Sequence, residues 1–219
     1  MNIYLIGCEY AGKTTLAGEI MKWAERHMNG TRHFHDHFTI PSSELTSEAA
    51  ESYRAAHPQV KEMMQRFMLN YHISPEMYAS HRDANLMGHA IEEAVYAPLY
   101  YGYGGKDSQA PKRSPEGQRT EMARKMEGRI LELAPDTVLV LLKAESEIIR
   151  QRMRDNPTTA EGEPFRGVVQ DEDVEYILKR FEEEFEWSLI RNKIVLDTTA
   201  ATVEETLAEF LAKFDLSTF

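Results

Sequence analysis

The chain has 219 residues, a formal net charge of −11 and an isoelectric point near 5.2, which predicts one domain of ordinary size and argues against a nucleic-acid-binding surface. Its single cysteine, Cys8, excludes an intramolecular disulfide framework. The sequence shows neither a run of 18 apolar residues nor a basic segment followed by an apolar one at its start, so we expect a cytoplasmic protein with no membrane partner. We expect residues 1–219 to fold as one domain.

The first half of the chain opens on an apolar strand and then alternates between strand and helix patterns. Residues 3–6 (IYLI) are too few for a helix but suit a buried strand, and LAGEIMKWAERHM (16–28) repeats its apolar residues at helical spacing. The following segments are predicted in this order: a strand at 33–40 (HFHDHFTI), helices over 42–81, a strand at 85–91 (NLMGHAI), and residues 92–105 (EEAVYAPLYYGYGG), which lead into a mobile, glycine-ended stretch.

The second half contains the least ambiguous strand of the chain, TVLVLLKA (137–144), which is continuous, apolar and β-branched as buried parallel strands tend to be. Because strands alternate with helices throughout, the class is predicted to be α/β with a parallel, doubly wound sheet. Around this strand we predict helices at 116–133, 146–154, 171–190 and 203–214, a lid-like loop at 158–170 and a last strand at 193–199.

The stretch GCEYAGKTT (7–15) lies between the first predicted strand and the first predicted helix. Gly7 and Gly12 permit backbone angles that a side chain would hinder, so the loop N–H groups and the first turn of the helix can surround an anion. Gly7-x4-Gly12-Lys13-Thr14 fits the phosphate-binding loop pattern, in which the lysine contacts the β- and γ-phosphates and the threonine ligates Mg²⁺. The alternative is a glycine-rich turn that merely precedes a helix. The predicted nucleotide-binding residues are Gly7, Glu9, Tyr10, Ala11, Gly12, Lys13, Thr14 and Thr15.

Several classes of protein use this loop, and the rest of the chain discriminates between them. A GTPase usually carries a guanine-reading Asn-Lys-x-Asp after a strand, which this sequence lacks. A motor or transport ATPase usually has an apolar strand that ends in Asp, whereas TVLVLL is followed by Lys143 and Ala144. A small-molecule kinase instead needs a closable lid whose arginines neutralise charge on the transferred phosphoryl group.

Three arginines precede the predicted lid. Arg150 and Arg154 lie one turn apart and share a helix face, whereas Arg152 points away from that face. Their position after the most buried strand and before a loop predicts that Arg150 and Arg154 stabilise the transition state of phosphoryl transfer. The alternative is a solvated helix with three exposed cations.

Together these stretches resemble the thymidylate kinase and deoxynucleoside kinase branch of phosphate-loop kinases. The resemblance rests on GCEYAGKTT at the start, VLVLLKAESEIIRQRMRDNP as strand, helix and lid, and IVLDTTAATVEETLAEFL as the final strand, loop and helix. It implies a three-layer phosphate-loop NTPase fold with a central, mostly parallel five-stranded sheet, a lid at 150–170 and a final loop near the adenine of ATP. It also implies an ATP- and Mg²⁺-dependent kinase whose acceptor is a nucleoside or a nucleoside monophosphate such as dTMP.

The acceptor side departs from this family. The family usually carries an acidic residue after the second strand, and the match here is Asp36, which we expect to orient the acceptor or act as its base. The alternative is a carboxylate paired with its neighbours His35 or His37. After the third strand, where the family usually shows Asp-Arg or Glu-Arg, the chain has Glu92 and Glu93 but no arginine. Either one glutamate substitutes for the acid, or the site is remodelled.

Gln65 lies in the helical region 42–81, where the family places the helices that cover the acceptor. It resembles the glutamine that reads a base edge in deoxynucleoside kinases, since one amide offers both a donor and an acceptor. The alternative is an exposed helical glutamine. Helices rich in methionine and aromatic residues are candidates for a homodimer interface, and one of them carries an apolar stripe of Val60, Met63, Met64, Phe67, Met68 and Tyr71.

Other functions stay open. The absent Asp-Arg pair also suits a regulatory protein or pseudo-kinase that binds ATP without transferring phosphate, and a non-nucleotide metabolite is a third candidate acceptor. The alternating His33, His35 and His37 suggest a zinc site, although no fourth ligand is evident. The predicted catalytic residues are Lys13, Asp36, Arg150 and Arg154, the predicted acceptor-binding residues are Asp36, Gln65, Glu92 and Glu93, and the predicted metal ligand is Thr14.

Overall fold

A computed structural model describes residues 1–28, 34–37, 46–76, 85–104, 118–155 and 167–214, except for the side chains of residues 35–37, 47 and 118. In these ranges strands and helices alternate along the chain. Their bounds are β1 (Ile3–Gly7), α1 (Lys13–His27), β2 (Phe34–His37), α2 (Ser47–Ala55), α3 (Pro58–His72), β3 (Asn85–Gly88), α4 (His89–Tyr96), α5 (Gln118–Leu133), β4 (Val138–Lys143), α6 (Ser146–Asp155), α7 (Val174–Trp187), β5 (Asn192–Asp197) and α8 (Val203–Lys213).

The described strands form one sheet of five in the order β2-β3-β1-β4-β5. Every neighbouring pair is parallel, and the central strand β1 pairs with β3 through Tyr4 and Leu86 and with β4 through Tyr4 and Leu139. The prediction of an α/β fold with a parallel sheet is therefore confirmed.

The core lies around β1 and β4, whose side chains are buried on both faces of the sheet. Ile3, Leu5 and Ile6 of β1 and Leu139 and Val140 of β4 have no exposed surface. A central parallel strand is covered by helices on both faces, so its sequence is apolar without alternation. One group of helices, α1 and α8, packs against β1 and β5, while α4, α5 and α7 form a second group against β1, β3 and β4. None of the helices in the described ranges is both long and apolar enough to span a bilayer.

The third strand is shorter than the sequence predicted. The strand expected over 85–91 ends at Gly88, and α4 begins at once with His89. Both residues have positive φ angles, 73° for Gly88 and 43° for His89. A Cβ on Gly88 would lie 1.9 Å from Oε2 of Glu92, so only glycine admits the carboxylate at this turn.

The stretch that follows is packed and mostly helical as far as Gly104, the last described residue of this part of the chain. Every residue of α4 is buried, and a π-helical turn at Ala97–Tyr101 continues it. Tyr101 and Tyr103 are also buried. Gly104 allows the chain to approach α5 closely, since a Cβ on it would lie 2.4 Å from Cγ of Arg119.

Candidate active site

The carboxyl ends of four parallel strands bring several loops to one edge of the sheet. The hydroxyl of Thr198, just after β5, donates to the carbonyl of Ala11 in the loop after β1 at 3.0 Å. The Thr198 N–H donates to the carbonyl of Lys143 at the end of β4 at 2.8 Å. Ligands of open α/β sheets bind at this edge. The candidate site is therefore built from these loops and from the start of α4.

The loop after β1 leaves the start of α1 open to an anion. Gly12, the N-cap residue, has φ 98° and supplies no side-chain cap, and the first turn contains no acidic residue. The first N–H groups of α1 can therefore donate hydrogen bonds to a ligand, which would also lie at the positive end of the helix dipole. Thr14 and Thr15, in that turn, are exposed. This geometry suits the predicted phosphate site.

Lys13 is held by its own loop and by Glu92. Its Nζ donates to the carbonyls of Gly7 at 2.6 Å and Cys8 at 3.2 Å and lies 2.9 Å from Oε1 of Glu92. The side chain of Glu92 is only 2% exposed. Burial alone would lower the pKa of Lys13, but the charge and hydrogen bond of Glu92 raise it above its usual value. Lys13 is thus a full positive charge beside an internal carboxylate.

Glu9 joins the loop after β1 to the end of the predicted lid. Its carboxylate accepts hydrogen bonds from the N–H groups of Val168 at 3.0 Å and Val169 at 3.1 Å. Its own N–H donates to the hydroxyl of Tyr96 at 3.0 Å. Burial raises the pKa of Glu9, and the two N–H groups act against that rise. In this structure the side chain of Glu9 holds residues 168–169, and its predicted role in nucleotide binding stays a prediction.

The arginines before the predicted lid lie on different faces of α6, as the helix spacing indicated, but it is Arg152 that contacts the phosphate loop. Its Nη1 donates to the carbonyl of Tyr10 at 3.0 Å and to the hydroxyl of Thr198 at 3.2 Å. The reason is tertiary, because the loop after β5 passes beside this face of α6. Helical spacing alone could not show which of these faces meets the phosphate loop.

Arg150 and Arg154 make contacts away from the phosphate loop. Arg150 is bound to Glu175 and donates from Nε to the carbonyl of Asp171 at 3.1 Å. Arg154 is 58% exposed and pairs with Glu147 at 3.0 Å. These contacts neither reach Lys13 nor test a role in phosphoryl transfer. The predicted catalytic role of the two arginines stays a prediction.

A second group of charged residues lies under α3, and we call it the acceptor cluster: Glu62, Glu93 and Arg119, with Tyr103. Arg119 Nη2 lies 2.9 Å from Oε1 of Glu62, and its Nη1 lies 3.3 Å from Oε1 of Glu93. The Tyr103 hydroxyl donates to the same Glu93 oxygen at 3.1 Å. All three charged side chains are at most 3% exposed. Arg119 was not predicted, because nothing in its local sequence separates it from Arg124 or Arg129 of the same helix.

Gln65 lies beside this cluster and is buried. It is 1% exposed, so the alternative of an exposed helical glutamine is wrong. Its amide donates to the hydroxyl of Tyr53 at 3.3 Å. The two predicted glutamates contact different groups: Glu92 is paired with Lys13, whereas Glu93 is paired with Arg119. The start of α4 thus joins the phosphate loop to the acceptor cluster.

The pKa of Glu93 gives a test of this buried arrangement. Burial raises it above the ordinary value of 4.5, against the opposing effect of Arg119. The folded chain therefore binds this proton more tightly than the unfolded chain, and stability falls as pH rises from 4.5 through the folded pKa. We expect the melting temperature of Glu93→Gln relative to the wild type to rise over that pH range, as measured by circular dichroism. Glu205→Gln is a control of opposite sign, because hydrogen bonds from Thr202 lower the pKa of Glu205. The melting temperature of the wild type should therefore rise relative to that of Glu205→Gln as pH rises towards 4.5.

Asp36 lies in β2 opposite Met87 of β3, and its side chain is outside the described part of the structure, as are those of His35 and His37. His33 is also outside it. Among the described residues no group of three or more His, Cys, Asp or Glu side chains could hold a metal ion.

The exposed hydroxyl of Thr14 is an oxygen ligand of the kind that Mg²⁺ takes when phosphates and waters supply its other ligands. The phosphate loop therefore fits Mg²⁺ held mainly by a bound nucleotide.

No protein-family model matches this chain, and no curated protein is significantly similar to it in sequence. Among solved structures it is similar to the deoxyadenosine kinase from M. mycoides with bound dCTP, with a TM-score of 0.58 and 16% identity over 100% of both chains. It is also similar to the YorR protein from Bacillus subtilis in complex with phosphorylated GDP, with a TM-score of 0.55 and 14% identity over 100% of this chain and 98% of the other. The chain therefore shares its fold with these two solved structures.

Proposed function

We propose that this protein is an ATP- and Mg²⁺-dependent phosphotransferase that moves the γ-phosphoryl group to a small acceptor, a (deoxy)nucleoside or a nucleoside monophosphate such as dTMP. One observation carries the proposal. Consecutive residues of α4 face two different groups: Glu92 lies 2.9 Å from Lys13 of the phosphate loop, and Glu93 lies 3.3 Å from Arg119 of the acceptor cluster. A donor phosphate and an acceptor bound at these places would meet at the start of α4.

At the phosphate end, Lys13 leaves Glu92 and contacts the β- and γ-phosphates, while the N–H groups of the first turn of α1 bind the same anion. The hydroxyl of Thr14 would be a ligand of Mg²⁺, which neutralises developing charge on the phosphates. Asp36 orients the acceptor and receives its proton where the acceptor is a hydroxyl. Arg150 and Arg154 stabilise the transition state once they leave Glu175 and Glu147.

At the acceptor end, Gln65, Glu93 and Arg119 bind the substrate. Within the described residues, Oε2 of Glu93 and Nε of Arg119 are buried without a hydrogen-bond partner. One is an acceptor and the other a donor, so a ligand that both donates and accepts would satisfy both atoms. The edges of nucleobases and the hydroxyls of sugars have this property. The neighbouring Gln65 amide adds a further donor and acceptor.

Arg152 is a positioning residue for the phosphate loop. Its guanidinium joins α6 to the Tyr10 carbonyl and to Thr198, and hydrogen bonds from a charged group contribute about 1.5–3 kcal/mol each. We expect Arg152→Met to weaken ATP binding by about 10-fold or more, measured by isothermal titration calorimetry. Arg154→Met is the matched control, since it removes the same charge from the same helix but only an exposed pair with Glu147. Equal affinities in the two variants would contradict the positioning role.

The experiment that tests the function is a product assay. The full chain is incubated with ATP and Mg²⁺ and with nucleosides, nucleoside monophosphates, sugars and alcohols in turn, and ADP is measured. ADP that depends on a nucleoside or a monophosphate supports the proposal. The absence of an arginine after β3 favours a second candidate, a regulatory protein that binds ATP without transferring phosphate. Binding of ATP without acceptor-dependent formation of ADP would favour that candidate. Formation of ADP that depends only on a sugar or an alcohol would contradict a nucleoside or nucleotide acceptor.

A further inference from the structure

Residues 168–173, which we call the strap, lie beside the loop that follows β1. Val169 is 7% exposed and belongs to the hydrophobic core, and the partly buried Val168 packs against that core. The strap then turns at Asp171–Asp173 and leads into α7. Because the N–H groups of both valines contact Glu9 of the loop, the strap places two apolar side chains next to the predicted phosphate site.

Glu9 holds the strap with a carboxylate that lies inside the predicted phosphate loop. One carboxylate oxygen accepts from the N–H groups of Val168 at 3.0 Å and Val169 at 3.1 Å, and the other oxygen lies 3.2 Å from the Val168 nitrogen. The residue is only 7% exposed. A negative charge in this loop opposes the binding of a phosphate. What the carboxylate contributes instead is a fixed position for the strap.

The end of the strap that Glu9 holds lies close to Lys13. Burial raises the pKa of Glu9, whereas the N–H groups of Val169 and Val168 and the charge of Lys13 lower it. The carboxylate and the ammonium group are therefore near enough to interact. In the proposed function Lys13 contacts the β- and γ-phosphates, so the strap is held beside the phosphoryl group that is transferred.

The other end of the strap is held from outside the phosphate loop. Tyr100, on the π-helical turn that continues α4, accepts a hydrogen bond from the N–H of Gln170 at 3.3 Å and donates one to Oδ2 of Asp173 at 2.7 Å. The strap is thus fixed at two places, by a carboxylate of the loop and by a hydroxyl of a different element. The two contacts can be removed one at a time.

We propose that Glu9 is a positioning residue, which fixes the strap against the phosphate loop and thereby keeps water away from the γ-phosphate of bound ATP. The inference rests on the proposed function, because it concerns the same nucleotide. Water that reaches the γ-phosphorus forms a bond to it, the bond from that phosphorus to the β,γ-bridging oxygen breaks, and ADP and inorganic phosphate are released with a proton. A site that excludes water prevents this side reaction.

Glu9→Gln tests the inference. Glutamine keeps the size of the side chain and one oxygen, but its NH₂ group cannot accept a hydrogen bond from the strap. Hydrogen bonds to a carboxylate are also about twice as strong as those between neutral groups. At saturating ATP and acceptor, we expect the ratio of inorganic phosphate to phosphorylated acceptor to rise about 10-fold, as for the loss of one such hydrogen bond. Exchange of the Val168 and Val169 amide hydrogens, followed by mass spectrometry, should be faster in the same variant.

Glu172→Gln is the matched control, because it makes the same change at an exposed residue of the strap. It should leave both the ratio and the amide exchange unchanged. Tyr100→Phe is a second test, since it releases the other end of the strap without altering the phosphate loop. We expect this variant to raise the ratio as well.

An unchanged ratio in Glu9→Gln or in Tyr100→Phe would overturn the inference, and so would an equal rise in Glu172→Gln. Should Glu9→Gln fail to fold, Tyr100→Phe still decides, because it leaves the buried carboxylate in place. A wild type that forms no acceptor-dependent ADP would instead refute the proposed function, on which the inference rests.

Discussion

Replacing Lys13 by alanine is expected to reduce acceptor-dependent ADP formation by at least about 10²–10³-fold, the cost of removing one preorganised donor from a developing oxyanion. Lys13 lies at the open start of α1, and of the cations in the described loop it alone is placed to contact a phosphate there. The measurement is the product assay under saturating ATP. Lys22→Ala is the matched control, because Lys22 is on the same helix but is 61% exposed and pairs with Glu19.

The Lys13→Ala experiment needs a second variant, because Lys13 is paired with the buried Glu92. Removing Lys13 takes this counter-charge away from the buried carboxylate of Glu92, and breaking a buried pair in this way costs about 3–5 kcal/mol. Lys13→Ala combined with Glu92→Gln restores neutrality, so the double variant should be more stable to urea than the single variant and equally inactive. If the double variant were to turn over at the wild-type rate, the assignment of Lys13 would be wrong. If Lys13→Ala were inactive only because it unfolds, the double variant should recover activity.

The parts of the site that could be predicted are those in which the local sequence dictates the geometry. The phosphate loop follows from two glycines, a lysine and a threonine between an apolar strand and a helix, because each residue type is required by the backbone or by the phosphate. Strand β4 could be predicted because a central parallel strand is apolar throughout. Helix α8 could be predicted for a similar reason, since Thr202 and Glu205 form a capping box at its start.

The parts that could not be predicted depend on contacts between distant segments. Arg119 lies 26 residues from Glu93 and 57 from Glu62, and its own neighbourhood contains other helical arginines. Arg152 is turned to the phosphate loop by contacts 142 and 46 residues away in sequence. Helical periodicity gives the faces of a helix but not which face meets the protein. For α3 the apolar stripe alone would have indicated the wrong face.

Replacing Glu92 by glutamine is expected to tighten the binding of ADP by about 10-fold, which corresponds to about 1.4 kcal/mol. In the described structure Lys13 is held by the Glu92 carboxylate, and it must leave that partner to reach a phosphate. Glutamine keeps the size and one oxygen of the side chain but removes the charge that competes with the phosphate. Calorimetry with ADP in the absence of Mg²⁺ measures this competition without any contribution from a metal contact.

Glu93→Gln is the matched control for this prediction, because it makes the same change one residue further along α4 but faces Arg119. It should leave ADP affinity unchanged and raise KM for the acceptor, whereas Glu92→Gln should bind nucleotide more tightly. Should Glu92 also act on the acceptor, kcat of Glu92→Gln falls while ADP still binds more tightly. Weaker or unchanged ADP binding in Glu92→Gln would mean that Glu92 positions Lys13 for the phosphate rather than competing with it. Glu92 would then be part of the phosphate-binding site.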